Sequence, residues 1–315
     1  RVVFTEANAA NTLQAASTAK KEGICIPILL GNEERIAKIA KENDIDIDGI
    51  EIINLRHDRE ESRRNRYAKY ISEKLARKGY TYSESNEKMY DRNYFGAMMV
   101  EMGDADAMIT GSYTKYMEAI KPAMDIIGMR EGINNLAALN IINTPKGVFY
   151  MADTLMNDSP SAQTLAEIAR LTNQTVKLFN ERPVMAMLSY SNFGADSTGN
   201  PCVVHEAVEL LHAKNPELMV DGEMQVNFAL NKKLRHEKYP FSTIDGMDVN
   251  TLIFPCLNSA NIAYRMLISM GMFESIGPVQ MGMRKPVHVL DVEASVRDII
   301  NMTTIAVIDA QINSK

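Results

Sequence analysis

The first third of the chain alternates short apolar runs with amphipathic stretches, and few folds accept that pattern. "RVVFTEA" (1–7) reads as a strand and "NAANTLQAASTAKKEG" as a helix ending at Gly23. "ICIPILLG" is a second strand, and "NEERIAKIAKEND" is an amphipathic helix with Ile36, Ile39 and Ala40 on its apolar stripe. "GIEIINL" is a third strand. Strands and helices in this rotation predict βαβ units around a parallel sheet. The same grammar returns in "DAMITG", the turn "GSYTK" and a helix through Ile120 and Ile127. A second unit opens with the strand "VFYMAD" and the capped helix start "NDSPSAQTLAEIA". The strands of "PVMAMLSYSNFG", "PELMVDGEMQ" and "VNTLIFPCLNSANIAYRML" each run into a polar turn. "SVRDIINMTTIAVIDAQI" closes the chain as an amphipathic helix. The 315 residues are too many for one core and predict two lobes.

A net charge of −6 argues against nucleic acid as the main partner, because phosphate backbones need a basic surface. It leaves room for a small anion in a locally basic crevice. No apolar run reaches the roughly 18 residues of a membrane helix, and no signal peptide is visible. Cys25, Cys202 and Cys256 have no zinc spacing; Cys25 and Cys256 sit in strand-like runs and read as buried reduced thiols, which predicts a cytoplasmic protein. Arg1 leads straight into a strand, as in a domain cut from a longer polypeptide or a processed terminus.

Several features carry possible chemistry. The strand, Gly-Ser turn and helix start at 106–116 form either an anion site with outward backbone N–H groups or a plain crossover turn. The segment 56–92 is a charged helix face; Arg63, Arg64 and Arg66 there can alternatively frame a phosphate. Asp221 and Glu223 are weak grounds for metal, and the five histidines show no triad spacing.

"DADAMITGSYTKYMEAIKPAMDIIG", "VDGEMQVNFAL", "TLIFPCLNSANIAYRML" and "IGPVQMGMRKPVHVL" resemble the phosphate acetyltransferase (phosphotransacetylase) family, in order and over almost the whole chain. "SYSNFGADSTGNP", "NPELMVDGEMQ" and "ASVRDIINMTTIAVIDAQ" look most like the C-terminal domain of multidomain NADP-dependent malic enzymes. The resemblance implies an α/β, two-domain, three-layer fold with an interdomain cleft, of the isocitrate and isopropylmalate dehydrogenase type. Residues 1–144 with 290–315 would form the first domain, and 145–289 the second, which would carry the dimer contact. It further implies acetyl-CoA as an effector, a homodimer or higher homo-oligomer, and a linked malic-enzyme module. NADP and a divalent metal would belong to that module alone.

Active relatives carry a motif like K-P-V-N-D-L-S-R-G-x-S-V-x-D-I. "KPVHVLDVEASVRDI" keeps Lys285, Pro286, Val287, Leu290, Ser295, Val296, Asp298 and Ile299. Asp291 replaces the serine, Val292 the arginine and Glu293 the glycine. An arginine would grip phosphate bidentately and stabilise developing charge; Val292 does neither. The resemblance therefore implies acetyl-CoA binding without acetyl transfer. Lys121 stands where the family usually has arginine, and His288 where it has asparagine. Binding would rest on Ser112, Tyr113, Lys115, Lys121, Asn258, Ser259, Asn261, Tyr264, Met283, Lys285, Pro286 and Asp298. Three of these assignments have structural alternatives: helix capping at 258–261, a core ring at Tyr264, and a favourable first-turn acid at Asp298.

Overall fold

A computed structural model describes residues 1–111, 113–271, 273–292 and 294–313. The strands are β1 (Val2–Phe4), β2 (Pro27–Leu30), β3 (Glu51–Ile53), β4 (Ala107–Thr110), β5 (Ala137–Thr144), β6 (Gly147–Ala152), β7 (Met185–Leu188), β8 (Val220–Met224), β9 (Thr251–Ile253), β10 (Glu274–Met281) and β11 (Val287–Val289). The chain divides into two compact units, Arg1–Glu131 with Met283–Lys315, and Gly132–Gly282. The sequence reading drew the divisions after 144 and after 289. They lie elsewhere because β5 hydrogen-bonds to β6 and β10, whereas β11 hydrogen-bonds to β4.

Unit 1 holds a parallel sheet of order β11-β4-β1-β2-β3. Its central strands are apolar on both faces and fully buried, as a sheet covered by helices requires. Helix Ala10–Lys21 packs along the closing helix Val296–Asn313, while Arg92–Glu101 packs against Tyr116–Ile126. The returning segment before β11 is fixed by helix ends. Arg284 Nε donates to Ile127 O at 3.0 Å, and Lys285 Nζ donates to Val100 O and Glu101 O, both at 2.9 Å. Cations suit these carbonyl-rich helix ends. Glu101, nearly buried, gathers Tyr70, Lys74 and Arg284 around one carboxylate. Burial works against its charge, but those donors hold its pKa below the usual glutamate value.

Unit 2 holds a mixed sheet of order β10-β5-β6-β9-β7-β8. Strands β6, β9, β7 and β8 run parallel, as the alternation predicts, but β10, β5 and β6 are antiparallel. β5 and β6 form a hairpin around Pro145-Lys146, with Thr144 Oγ1 donating to Gly147 O at 2.8 Å. In β10 the register shifts at Gly277-Pro278, where Gly277 has φ +141 and a Cβ would meet Leu139 O at 3.0 Å. Asp153, 3% exposed, ends β6 and accepts from the backbone N–H of Ala138, Leu155, Met156 and Asn157. Burial pushes its pKa up against the pull of these donors.

The cysteines are free; Cys25 and Cys256 are half-buried beside strands, which corrects the buried reading of those two, and Cys202 is exposed. Burial still raises the Cys25 thiol to about 11. Among the described residues no helix is long and apolar enough to cross a membrane.

Because the folded pKa of Glu101 is depressed, its contribution is present above the unfolded carboxylate range and lost as pH falls through the folded value. Glu101→Gln should destabilise the chain by about 1–3 kcal/mol at pH 7. The gap from the parent should close in denaturant melts at progressively acidic pH.

Candidate functional site

Unit 1 builds its candidate site at the carboxyl ends of its strands. The chain steps from β1 outward to β2 and β3, then returns to the far side of β1 as β4. Such a reversal opens a crevice between two strand ends, where open α/β sheets bind ligands. Here the crevice lies beyond Thr5 and Thr110. Their hydroxyls are 2.7 Å apart and lie 2.8 and 2.7 Å from Asn93 Oδ1, tying both strand ends to the start of helix Arg92–Glu101. Glu6, 8% exposed, accepts from Tyr113 N and Thr114 Oγ1, both at 3.1 Å. The Tyr113 N–H of the expected anion turn is thus satisfied by the chain's own carboxylate.

Beside this knot is a cavity of about 460 Å³, lined by Glu6, Lys88, Arg92, Thr114, Lys121 and neighbouring residues. Lys88 lies over the Tyr94 ring, 4.1 Å from its centroid. The cavity carries three cations and three carboxylates, Glu6, Asp91 and Glu118, and is open at Lys121, which is exposed. Lys88 and Arg92 escaped the sequence reading. Their only signal is the run "KMYDRN", in which Asp91 caps the helix by accepting from Asn93 N and Tyr94 N.

β11 delivers the third wall. Leu290 N donates to Thr110 O at 2.7 Å, so the β11 exit lies against the β4 exit. Gly111 makes this possible: its φ is +103, and a Cβ would fall 2.4 Å from Val289 Cγ1. Val292 follows, 58% exposed, and Asp291 Oδ1 accepts from Val292 N at 2.9 Å. Neither a hydroxyl nor a guanidinium stands at 291–292. Asp298 accepts from Ser295 N at 2.9 Å and Ser295 Oγ at 2.6 Å, and Asp298 N donates back to Ser295 Oγ. This reciprocal capping box commits Asp298 to starting the closing helix.

The remaining sequence-predicted residues separate. Tyr113, Lys115 and Lys121 are on the unit 1 carboxyl side, with Tyr113 71% exposed. Met283, Lys285 and Pro286 precede β11 and lie toward its amino end, where Lys285 is held by helix carbonyls and Met283 is buried. In unit 2, helix Leu257–Ser269 starts at the carboxyl end of β9 without a side-chain cap. Asn258 is exposed at its second position, Ser259 Oγ donates to Cys256 O at 2.8 Å, and Asn261 Nδ2 lies 3.4 Å from Thr154 O. Tyr264 is buried in the unit 2 core, its hydroxyl 3.0 Å from Ser275 Oγ. Ser112 and Glu293 lie outside the described residues.

Other candidates are absorbed by structure. Arg64 is buried and donates to Leu55 O and His57 O, whereas Arg63, paired with Glu60, and Arg66, paired with Asp104, line a surface cavity with Arg59. Asp221 accepts from Ser242 Oγ and Thr243 N, while Glu223 meets Gly194 N and His205 Nδ1. Among the described residues no three His, Cys, Asp or Glu side chains are grouped to hold a metal ion. His288 is a buried strand residue whose pKa burial lowers.

Comparison with known proteins agrees with this architecture. The phosphate acetyl/butaryl transferase family profile matches residues 1–307. The NADP-dependent malic enzyme of Escherichia coli K12 is 36% identical over 99% of this chain, which spans 41% of that relative's length. The phosphate acetyltransferase of Bacillus subtilis 168 is 32% identical over 98% of this chain and 94% of its own. A phosphotransacetylase structure from Streptococcus pyogenes superposes with a TM-score of 0.89 at 33% identity, covering 98% of this chain and 93% of that one.

Gly111→Ala should cost on the order of 2–4 kcal/mol, since a side chain meets both a disfavoured φ and the β11 backbone. The check is a lowered chemical-denaturation midpoint with unchanged slope.

Proposed function

Because the chain belongs to the phosphate acetyl/butaryl transferase family, we propose that it binds acetyl-CoA without transferring the acetyl group, and serves as a regulatory and oligomerisation domain of an NADP-dependent malic enzyme. The observation that carries this reading is the segment after β11. Its frame persists, from Leu290 on β4 to the Ser295–Asp298 capping box, while its centre presents Asp291 and exposed Val292. Transfer to phosphate brings a dianion to the thioester and develops an oxyanion. Removing one donor to such a charge typically costs about 3 kcal/mol, and here a carboxylate also stands at the position of the serine, next to the one where the guanidinium is missing. Ligand binding draws on other groups: Lys88, Arg92 and Lys121 around the unit 1 cavity, and the uncapped helix starts after β4 and β9.

The malate chemistry, with its NADP and metal, is assigned to a linked module, in keeping with relatives more than twice as long as this chain. Acetyl-CoA controls that module by binding one conformation or assembly state more tightly than another, since equal affinity for both shifts nothing. Pairing through unit 2 draws support from Ile262, Met266 and Met270, exposed at four-residue spacing along helix Leu257–Ser269 and just beyond it. Met266→Glu should weaken self-association at least tenfold in sedimentation equilibrium while leaving the thermal midpoint of the dissociated chain nearly unchanged.

The second reading is an active phosphate acetyltransferase, favoured by the near full-length likeness to the Bacillus subtilis enzyme. One paired experiment separates the two: calorimetric titration of acetyl-CoA and an assay of CoA-dependent acetyl phosphate turnover on the same sample. Saturable binding with no turnover is the expected result. Turnover in the ordinary enzymatic range, about 1–10³ s⁻¹, would establish the transferase instead.

A further inference from the structure

The first turn of helix Ala10–Lys21 stands apart from the residues assigned so far. It begins at the carboxyl end of β1, beside the crevice between β1 and β4. Its N-cap, Ala9, has no side chain able to accept a hydrogen bond, and its first turn holds no acid. The opening N–H groups of any α-helix lack intrahelical acceptors and carry the positive end of the dipole. By itself this is only a helix start. The second observation is Thr12, the third helical residue: it is 3% exposed, yet its Oγ1 is buried with no hydrogen-bond partner among the described residues. Helical Cα–Cβ bonds tilt toward the N-terminus, so this hydroxyl lies on the side of the open turn. Asn8, just before the helix, likewise buries an unpartnered Oδ1. On the other flank Asn11 Nδ2 donates to Ala294 O at 3.2 Å, which holds the turn against the loop after β11.

We infer that the Ala9–Thr12 turn is a seat for a phosphoryl oxyanion, bound by the open backbone N–H groups and the Thr12 hydroxyl. A tetrahedral dianion accepts from several converging donors, satisfies Thr12 Oγ1 and is stabilised by the dipole. The oxyanion has two sources: inorganic phosphate, or a phosphate group of CoA. The seat does not depend on whether acetyl transfer occurs.

The test titrates inorganic phosphate, CoA and CoA lacking its 3′-phosphate into the parent chain, Thr12→Val and Ala9→Asp, at fixed ionic strength. Thr12→Val is nearly isosteric and removes an unpaired buried hydroxyl, so its melting temperature without phosphate should equal or exceed the parent's. Its affinity for inorganic phosphate should fall about tenfold, the worth of one hydrogen bond to a charged group. Ala9→Asp supplies its own carboxylate cap; it should lose phosphate binding and melt higher. If CoA weakens in parallel but the analogue without the 3′-phosphate does not, that group is the occupant; if both weaken, the pyrophosphate is. If neither does, free phosphate is the ligand. The seat is overturned if the parent shows no saturable phosphate binding at millimolar concentration, or if Thr12→Val binds phosphate as the parent does. Acetyl-CoA binding untouched by those outcomes would leave the proposed function standing, and phosphate binding without acetyl-CoA binding would leave the seat standing.

Discussion

The site depends on one packing constraint, the landing of β11 beside β4. The chain leaves unit 1 after Glu131 and re-enters it at Met283, so three residues of strand must bring the segment from Met283 onward back onto the sheet. They are guided in by Arg284 and Lys285 on helix carbonyls and locked at the exit by Leu290 N on Thr110 O. Gly111 permits the approach, because any Cβ there would overlap Val289. Three side-chain-to-helix-end bonds and one glycine thus place the 290–298 segment against the β4 turn. These fixing contacts are made by residues other than Asp291 and Val292.

That division separates binding from chemistry. Frame and charge come from different residues. The crevice walls are set by Thr5, Thr110, Asn93 and Glu6, and the cations by Lys88, Arg92 and Lys121. On the proposed reading, a substitution at 291 or 292 removes transition-state contacts while leaving those groups in place. Differential stabilisation of the transition state is what accelerates a reaction, so a fold can keep ligand affinity after losing it. Such a domain is suited to sensing a metabolite without consuming it.

Much of this was legible in the sequence. The alternation of "VVF", "PILL" and "AMIT" with amphipathic helices fixed the parallel sheet of unit 1, since strands buried on both faces must be continuously apolar. The second sheet was half hidden. β5, "AALNIINT", lacks alternation because its buried run includes Asn140, and β10 is broken by Gly277-Pro278, which reads as a loop. At Asp291 and Val292 the reading rests on side-chain identity, and the fold adds that both follow β11, with Asp291 Oδ1 accepting from Val292 N. Several expected binding residues also have a structural use. Asp298 caps a helix through Ser295, Tyr264 fills a core and Lys285 closes a helix end; the capping motif is readable locally, whereas the burial of Tyr264 and the helix-end partners of Lys285 come only from the fold. Lys88 and Arg92 were missed because only the fold brings them beside Glu6 and Lys121.

If loss of the central residues alone silences the site, restoring them should reveal the transferase. The most direct measurement is CoA-dependent acetyl phosphate formation by the triple variant Asp291→Ser, Val292→Arg and Glu293→Gly, set against the parent chain at saturating acetyl-CoA. A regained guanidinium and hydroxyl should raise turnover at least about a hundredfold, the usual worth of one transition-state donor. A variant that binds acetyl-CoA as the parent does and stays silent would contradict the account.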